Sequence, residues 1–176
     1  HLSSYSLTVE EKTALDVLIK KQKLENINEE QSINHFNILL EETEKKNFVH
    51  YEISNFALEG YYSKHNSIYW LGGHYLGLGP SAHSYNGIAR QWNVMSVKRY
   101  CEEANPVNII EEKEVLTTDQ MYNEYLLTSL RTSWGCDIEH ITNVFGNKYK
   151  THFLKNIDQV IKENKVMCKG NIYTLT

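Results

Sequence analysis

The sequence predicts an α+β chain: a stretch of α/β barrel or open sheet, then a small helical, winged-helix-like domain. Three observations predict it. The first third alternates strand, helix and strand, which is the βαβ grammar of a parallel sheet. Residues 57–93 abandon that alternation for glycines, tyrosines and histidines. The last third is helical and closes on a hairpin.

Residues 2–7 read as the opening strand, starting from the first side chain with no leader, as in a cut made inside a larger fold. Thr8 followed by Glu11 offers a capping box, with Leu15 and Leu18 behind it for a first helix. A clearer helix follows Asn28: residues 29–46 carry Ile33, Phe36, Leu39 and Leu40 at helical spacing, and Asn47 can take the left-handed stop. Residues 48–56 read as one strand, with Val49, Tyr51 and Ile53 alternating against His50, Glu52 and Ser54. Beyond the middle segment, a short helix at 96–103 leads through Pro106 to an acidic linker. Thr117 with Gln120 caps a helix running to about Thr132, Asp137 caps another ending near Gly146, and residues 148–164 form a third. Residues 166–168 and 172–175 flank Lys169-Gly170-Asn171, a hairpin.

The formal net charge is −4, with 41% hydrophobic residues, so general electrostatics give no reason to bind nucleic acid or an anionic membrane. The C-terminal helices and hairpin admit another class of function, a nucleic-acid or protein-interaction module; they hold a few more lysines than acids but no dense basic stripe, so a nucleic-acid partner is not expected. No apolar run is long enough to be a transmembrane segment. The opening lacks the basic-then-apolar pattern of a signal peptide, and Cys101, Cys136 and Cys168 are too scattered for a metal knuckle or a disulfide framework. Free thiols in a reducing cytoplasm are the expectation.

The middle segment carries the chemistry. Gly60, Gly72, Gly73, Gly77, Gly79 and Gly87 interleave with seven Tyr and Trp residues and with His65, His74 and His83. Such composition lines clefts, because glycine lets backbone approach a ligand and aromatic rings supply flat apolar contact. Glu52 and Asn55 sit at the strand exit, where parallel α/β sheets place ligands; Glu52 could accept from an amino group, or the strand simply has a polar face. In His65-Asn66-Ser67-Ile68-Tyr69-Trp70, a histidine, an amide and two amphipathic rings could hold a planar ligand, with His65 axial or hydrogen-bonding; a satisfied loop histidine is the other reading. Gly77 and Gly79 alternate before Pro80 and mark a bulge, close packing of backbone on backbone, or backbone laid against a ligand. Neither a P-loop nor a dinucleotide fingerprint is present. Arg90 with Asn93 could clamp a carboxylate, unless Arg90 is a surface arginine.

Four ordered blocks carry a resemblance: Tyr51-Glu52-Ile53-Ser54-Asn55-Phe56-Ala57, His65-Asn66-x-x-Tyr69-Trp70, Tyr75-Leu76-Gly77-Leu78-Gly79-Pro80-Ser81-Ala82-His83-Ser84 and Arg90-x-x-Asn93. In order and spacing they resemble the oxygen-independent coproporphyrinogen III oxidase family of radical S-adenosylmethionine (SAM) proteins. The HNxxYW block favours its haem-chaperone branch. His1 to Thr8 resembles a late barrel strand of that family, and Glu124, Leu130-Arg131-Thr132 and Gly135 its helical C-terminal region.

The resemblance implies the C-terminal part of a partial (β/α) radical SAM barrel over residues 1–95, followed by a helical, winged-helix-like domain over 96–176. It implies SAM and a [4Fe–4S] cluster in the full-length protein, and haem or a porphyrinogen as ligand. In the oxidase a 5′-deoxyadenosyl radical takes hydrogen from propionates, and decarboxylation leaves vinyl groups. The chaperones bind haem and deliver it to client proteins. Carried over by position, Thr8 and His83 lie beside SAM, while Glu52, Asn55, His65, Tyr69 and Arg90 lie near the tetrapyrrole. The CxxxCxxC motif of the family is missing from this sequence, so these residues alone are expected to hold no cluster and to perform no radical chemistry.

Overall fold

Two sets of helices with small antiparallel sheets make up the chain, which divides into the units His1–Tyr62 and Ser63–Thr176. The computed structural model describes residues 1–103, 105 and 107–176; Pro106, where a break before the linker is expected, lies outside them. The α+β class predicted by the sequence is observed.

In the first unit β1 (Leu2–Ser3) is followed by α1 (Ala14–Lys20), α2 (Glu29–Glu44), β2 (Phe48–Glu52) and β3 (Asn55–Leu58). Asn28 caps α2, its side chain accepting from the Gln31 N–H at 3.1 Å. Asn47 stops the chain with φ of 59°, as the sequence suggests. Three expectations change. The opening strand is two residues rather than six, and Tyr5 and Leu7 are exposed although their alternation mimics a strand. The first helix is capped by Thr13, not Thr8: Lys12 has φ of 65°, which no helix can hold, and its N–H is taken by Asp16 at 2.9 Å.

The third change matters most. The strand expected over 48–56 folds back at Ile53-Ser54, and β2 and β3 form a hairpin. The Glu52 carboxylate accepts from the Ser54 N–H at 3.1 Å and fixes that turn, while the apolar alternation runs straight through it. The sheet order is β1-β3-β2 with both pairings antiparallel. So β1 and β2 share a direction, as a βαβ unit requires, but β3 lies between them. Tyr51, Phe56 and Ala57 are fully buried at its core.

The second unit opens with α3 (Lys64–Trp70) and continues through β4 (His83–Tyr85), β5 (Ala89–Asn93), α4 (Val97–Glu102) and β6 (Ile110–Val115). β4, β5 and β6 form one antiparallel sheet in that order. The expected acidic linker is therefore strand β6. Its glutamates disguise it, since charge on a sheet edge is how exposed strands avoid further pairing.

The remainder is α5 (Thr118–Ser129), β7 (Cys136–Asp137), α6 (Ile138–His140), a π-turn over Ile141–Phe145, α7 (Asn147–Lys162), β8 (Val166–Lys169) and β9 (Ile172–Leu175). Thr117 and Gln120 make the capping box, Asp137 caps α6, and Gly146 and Gly170 take positive φ where the chain turns. The β7-β9-β8 sheet and α5 to α7 enclose Tyr122, Cys136, Ile141, Phe153, Ile157 and Tyr173. This is the winged-helix-like module, with β7 a strand that its two residues could not announce.

Candidate functional site

The HNxxYW block is a helix, not a loop. Ser63 caps α3 by accepting from the Asn66 N–H at 3.1 Å, and the helical turn sets His65 and Tyr69 side by side. Their rings meet edge-on at 5.3 Å, with the Tyr69 hydroxyl 3.4 Å from His65 Nε2. Tyr69 in turn meets Tyr75 at 4.7 Å. Tyr75 is bridged to Tyr85 by a pair of backbone hydrogen bonds of 3.0 and 2.9 Å. Arg90 lies opposite Tyr85 in the β4–β5 register, its guanidinium 5.7 Å over the Tyr85 ring. Its Nη2 donates to Glu124 Oε2 of α5 at 3.0 Å.

Tyr69, Tyr75, Tyr85, Arg90 and Glu124, with Trp70, Tyr125, Trp134, His140 and Phe145, wall a cavity of about 520 Å³, which His65 does not line. That size and aromatic lining suit an organic ligand. Tyr125 and His140 stack at 4.3 Å on one wall. Burial works against the Arg90 charge, but Glu124, through Coulombic attraction and the hydrogen bond, and then Tyr75 outweigh it and raise the guanidinium pKa. Burial pushes the Tyr85 phenol up, and Glu124 adds to the effect. Burial also pushes the Tyr125 phenol up to about 12, the Asp137 backbone opposing. The walls are thus mainly aromatic, with one guanidinium, partly exposed and already paired to Glu124.

The glycine segment resolves into distinct roles. A Cβ on Gly77 would sit 2.2 Å from the His83 carbonyl oxygen, so this glycine permits backbone to pack on backbone. Gly79 needs its glycine for a φ of 107°. Asn93, buried, donates from Nδ2 to the Gly77 and Gly79 carbonyls at 3.2 and 2.9 Å, and the Gly79 N–H donates to the Tyr100 hydroxyl at 3.0 Å. Asn93 therefore holds the loop, and the carboxylate that Arg90 meets belongs to Glu124.

The other predicted residues fall as follows. Glu52 and Asn55 are buried in the first unit, where Asn55 Nδ2 donates to Glu52 Oε2 and Ser3 Oγ donates to Asn55 Oδ1 at 2.6 Å. Thr8 is exposed in the segment before α1. His83 is exposed on β4, its ring stacked on Trp92 at 5.5 Å. The structure brings together Glu52 with Asn55, and Tyr69 with Arg90 on one cavity, with His65 one helical turn from Tyr69. The sequence reading missed Tyr125, Trp134 and His140 as cavity walls and Glu124 as the partner of Arg90. They come from helices and turns far along the chain, and no spacing signals the meeting.

A larger cavity of about 900 Å³ in the first unit is lined by Leu7, Leu15, Ile19, Phe36 and Leu39 among others. Its lining includes no lysine or arginine and none of the predicted residues, so its chemistry is poorer. A [4Fe–4S] cluster asks for a set of converging thiolates. Cys136 is buried in the second unit's core, its thiol pushed by burial up to about 11, and among the described residues no three His, Cys, Asp or Glu side chains converge. The described residues do not fit the cluster.

No family model matches the chain. It is 35% identical over 153 residues to the haem chaperone HemW of Bacillus subtilis, covering 83% of this chain and 39% of that protein. To the haem chaperone HemW of Lactococcus lactis it is 31% identical over 163 residues, covering 93% and 42%. The chain thus spans about two fifths of the length of the curated relatives it matches. In fold it is similar to coproporphyrinogen III oxidase (HemN) from Escherichia coli, described as a radical SAM enzyme, with a TM-score of 0.66, 15% identity, and coverage of 89% of this chain and 40% of that one. Sequence and fold together place the chain in the oxygen-independent coproporphyrinogen III oxidase family of radical SAM proteins, in the branch of the HemW-like haem chaperones.

Proposed function

We propose that the protein is a haem chaperone of the radical SAM family and that the aromatic cavity of its second unit receives the tetrapyrrole. The observation that carries this reading is the similarity to two haem chaperones over 83% and 93% of the chain. The cavity supports it, since tyrosine faces suit a flat macrocycle and a guanidinium suits its carboxylate arms.

In this reading Tyr69 and Arg90 contact the tetrapyrrole from the cavity wall, and His65 offers an imidazole one helical turn from Tyr69. Glu52 and Asn55 are further tetrapyrrole contacts, and Thr8 and His83 lie beside SAM, as the family resemblance implies. His83 suits that role through an exposed ring face backed by Trp92. Bound with its [4Fe–4S] cluster, SAM supplies radical chemistry in such proteins; the cluster's donors lie outside the described residues. Residues 1–95 then form the end of the barrel with its pocket segment, and 96–176 the helical domain. Three free cysteines suit a reducing cytoplasm, with haem-accepting proteins as clients.

The fold shared with a coproporphyrinogen III oxidase favours a second reading, oxidative decarboxylation of propionates to vinyls. One experiment separates the two. The full-length, reconstituted protein is given haem and, separately, coproporphyrinogen III. Stable haem retention with coproporphyrinogen III unchanged supports the chaperone. Conversion to protoporphyrinogen IX overturns it in favour of the oxidase.

A further inference from the structure

Arg90 is the one lysine or arginine among the residues lining the aromatic cavity, and Glu124 lines it too. Their contact is single: one Nη2–Oε2 hydrogen bond of 3.0 Å, with both side chains 30% exposed. A guanidinium carries five N–H donors in a planar fork that fits a carboxylate by two parallel bonds. The Glu124 bond engages one donor of that fork, with Tyr75 beside it and the Tyr85 ring centroid 5.7 Å from the guanidinium carbon.

A buried structural pair would have closed geometry and excluded water, whereas this one faces a cavity of about 520 Å³. Its two partners come from different elements, β5 and α5, and meet only through their side chains.

We propose that Glu124 is a built-in stand-in for a ligand carboxylate: it occupies Arg90 when the cavity is empty and yields the guanidinium to a carboxylate arm of the planar ring that enters. This rests on the tetrapyrrole reading above and deepens it, because it assigns the ring's carboxylates to Arg90 and makes Glu124 a competitor rather than a contact. Arg90 is then the ligand-binding group and Glu124 a positioning residue that acts through it. A purely structural ion pair predicts that losing either partner harms binding alike. A stand-in predicts opposite signs.

The test titrates the full-length protein with iron protoporphyrin IX and with its dimethyl ester, following the Soret band. Wild type is expected to bind the free acid about tenfold more tightly than the ester, the value of one charge-assisted hydrogen-bonded pair. Arg90→Gln should erase the preference, Arg90→Lys should keep part of it, and Glu124→Gln should raise free-acid affinity severalfold while leaving the ester unchanged. Equal binding of acid and ester by wild type, or parallel losses in Arg90→Gln and Glu124→Gln, overturns the proposal while haem binding stands. If neither porphyrin binds wild type, the tetrapyrrole reading falls and takes this one with it. Folding of each variant is checked by its denaturation midpoint; if Arg90→Gln fails to fold, the Glu124→Gln gain decides, and if Glu124→Gln fails, Glu124→Ala takes its place with the same expected gain.

Discussion

Single residues decide how close the pocket segment can come to itself. Gly77 is the plainest case, because any side chain there meets the His83 carbonyl at 2.2 Å and the backbone carbons of His83 and Ala82 within 2.8 Å. Backbone cannot rotate aside as a side-chain tip can. Gly77→Ala is therefore expected to cost about 2 kcal/mol or more in urea denaturation. The neighbouring Leu78→Ala, at a side chain 80% exposed, should cost almost nothing. Equal midpoints for the two variants would remove the close-packing account of Gly77. At this scale the sequence was partly legible. The alternating glycines point to a tight approach, and Tyr69 and Arg90 do reach one cavity. The loop-holding role of Asn93 was hidden, because an amide four residues beyond a turn reads equally as a ligand group or a brace. Glu124 was hidden more completely: thirty-four residues separate it from Arg90, and only the fold joins them.

Elements whose signals are local were readable, and those defined by a partner were not. Asn28, Thr117, Asp137 and Gly170 each write their cap or turn into three or four consecutive residues. β6 and β7 exist because β5 and β9 lie beside them, and neither a run of glutamates nor two residues can say so. The β2–β3 hairpin misled for a related reason: its turn carries no glycine, asparagine or aspartate at Ile53-Ser54, and Glu52 supplies the turn's hydrogen bond instead. The element packing also sets a pH response. β7 places Cys136 against α5, where burial lifts its thiol from 9.0 to about 11, and the same burial lifts Tyr125 from 10.0 to about 12. Between pH 9 and 11 the folded chain keeps a Cys136 proton that the unfolded chain has lost, so rising pH favours unfolding. The stability is whole below pH 9 and declines above it, with Tyr125 adding to the decline above pH 10. Urea midpoints at pH 8, 9 and 10.5 should fall in that order, and Cys136→Ala should flatten the first part of the fall. A midpoint constant across this range would contradict the burial of both groups.

At the scale of the whole molecule, the two units carry different features. The first holds the family's strand block as a buried, mutually bonded pair, Glu52 and Asn55, which serves the sheet whatever else it contacts. The second holds the cavity, which draws its walls from both the pocket segment and the helical module. That is why composition alone located the tyrosines but not the enclosure. The most direct measurement is a crystal structure of the full-length protein loaded with haem. The macrocycle should lie in the second unit's cavity against Tyr75 and Tyr85, with a propionate on Arg90 and Glu124 turned away. A macrocycle bound elsewhere, with Arg90 still on Glu124, would contradict the assignment of this cavity to the tetrapyrrole.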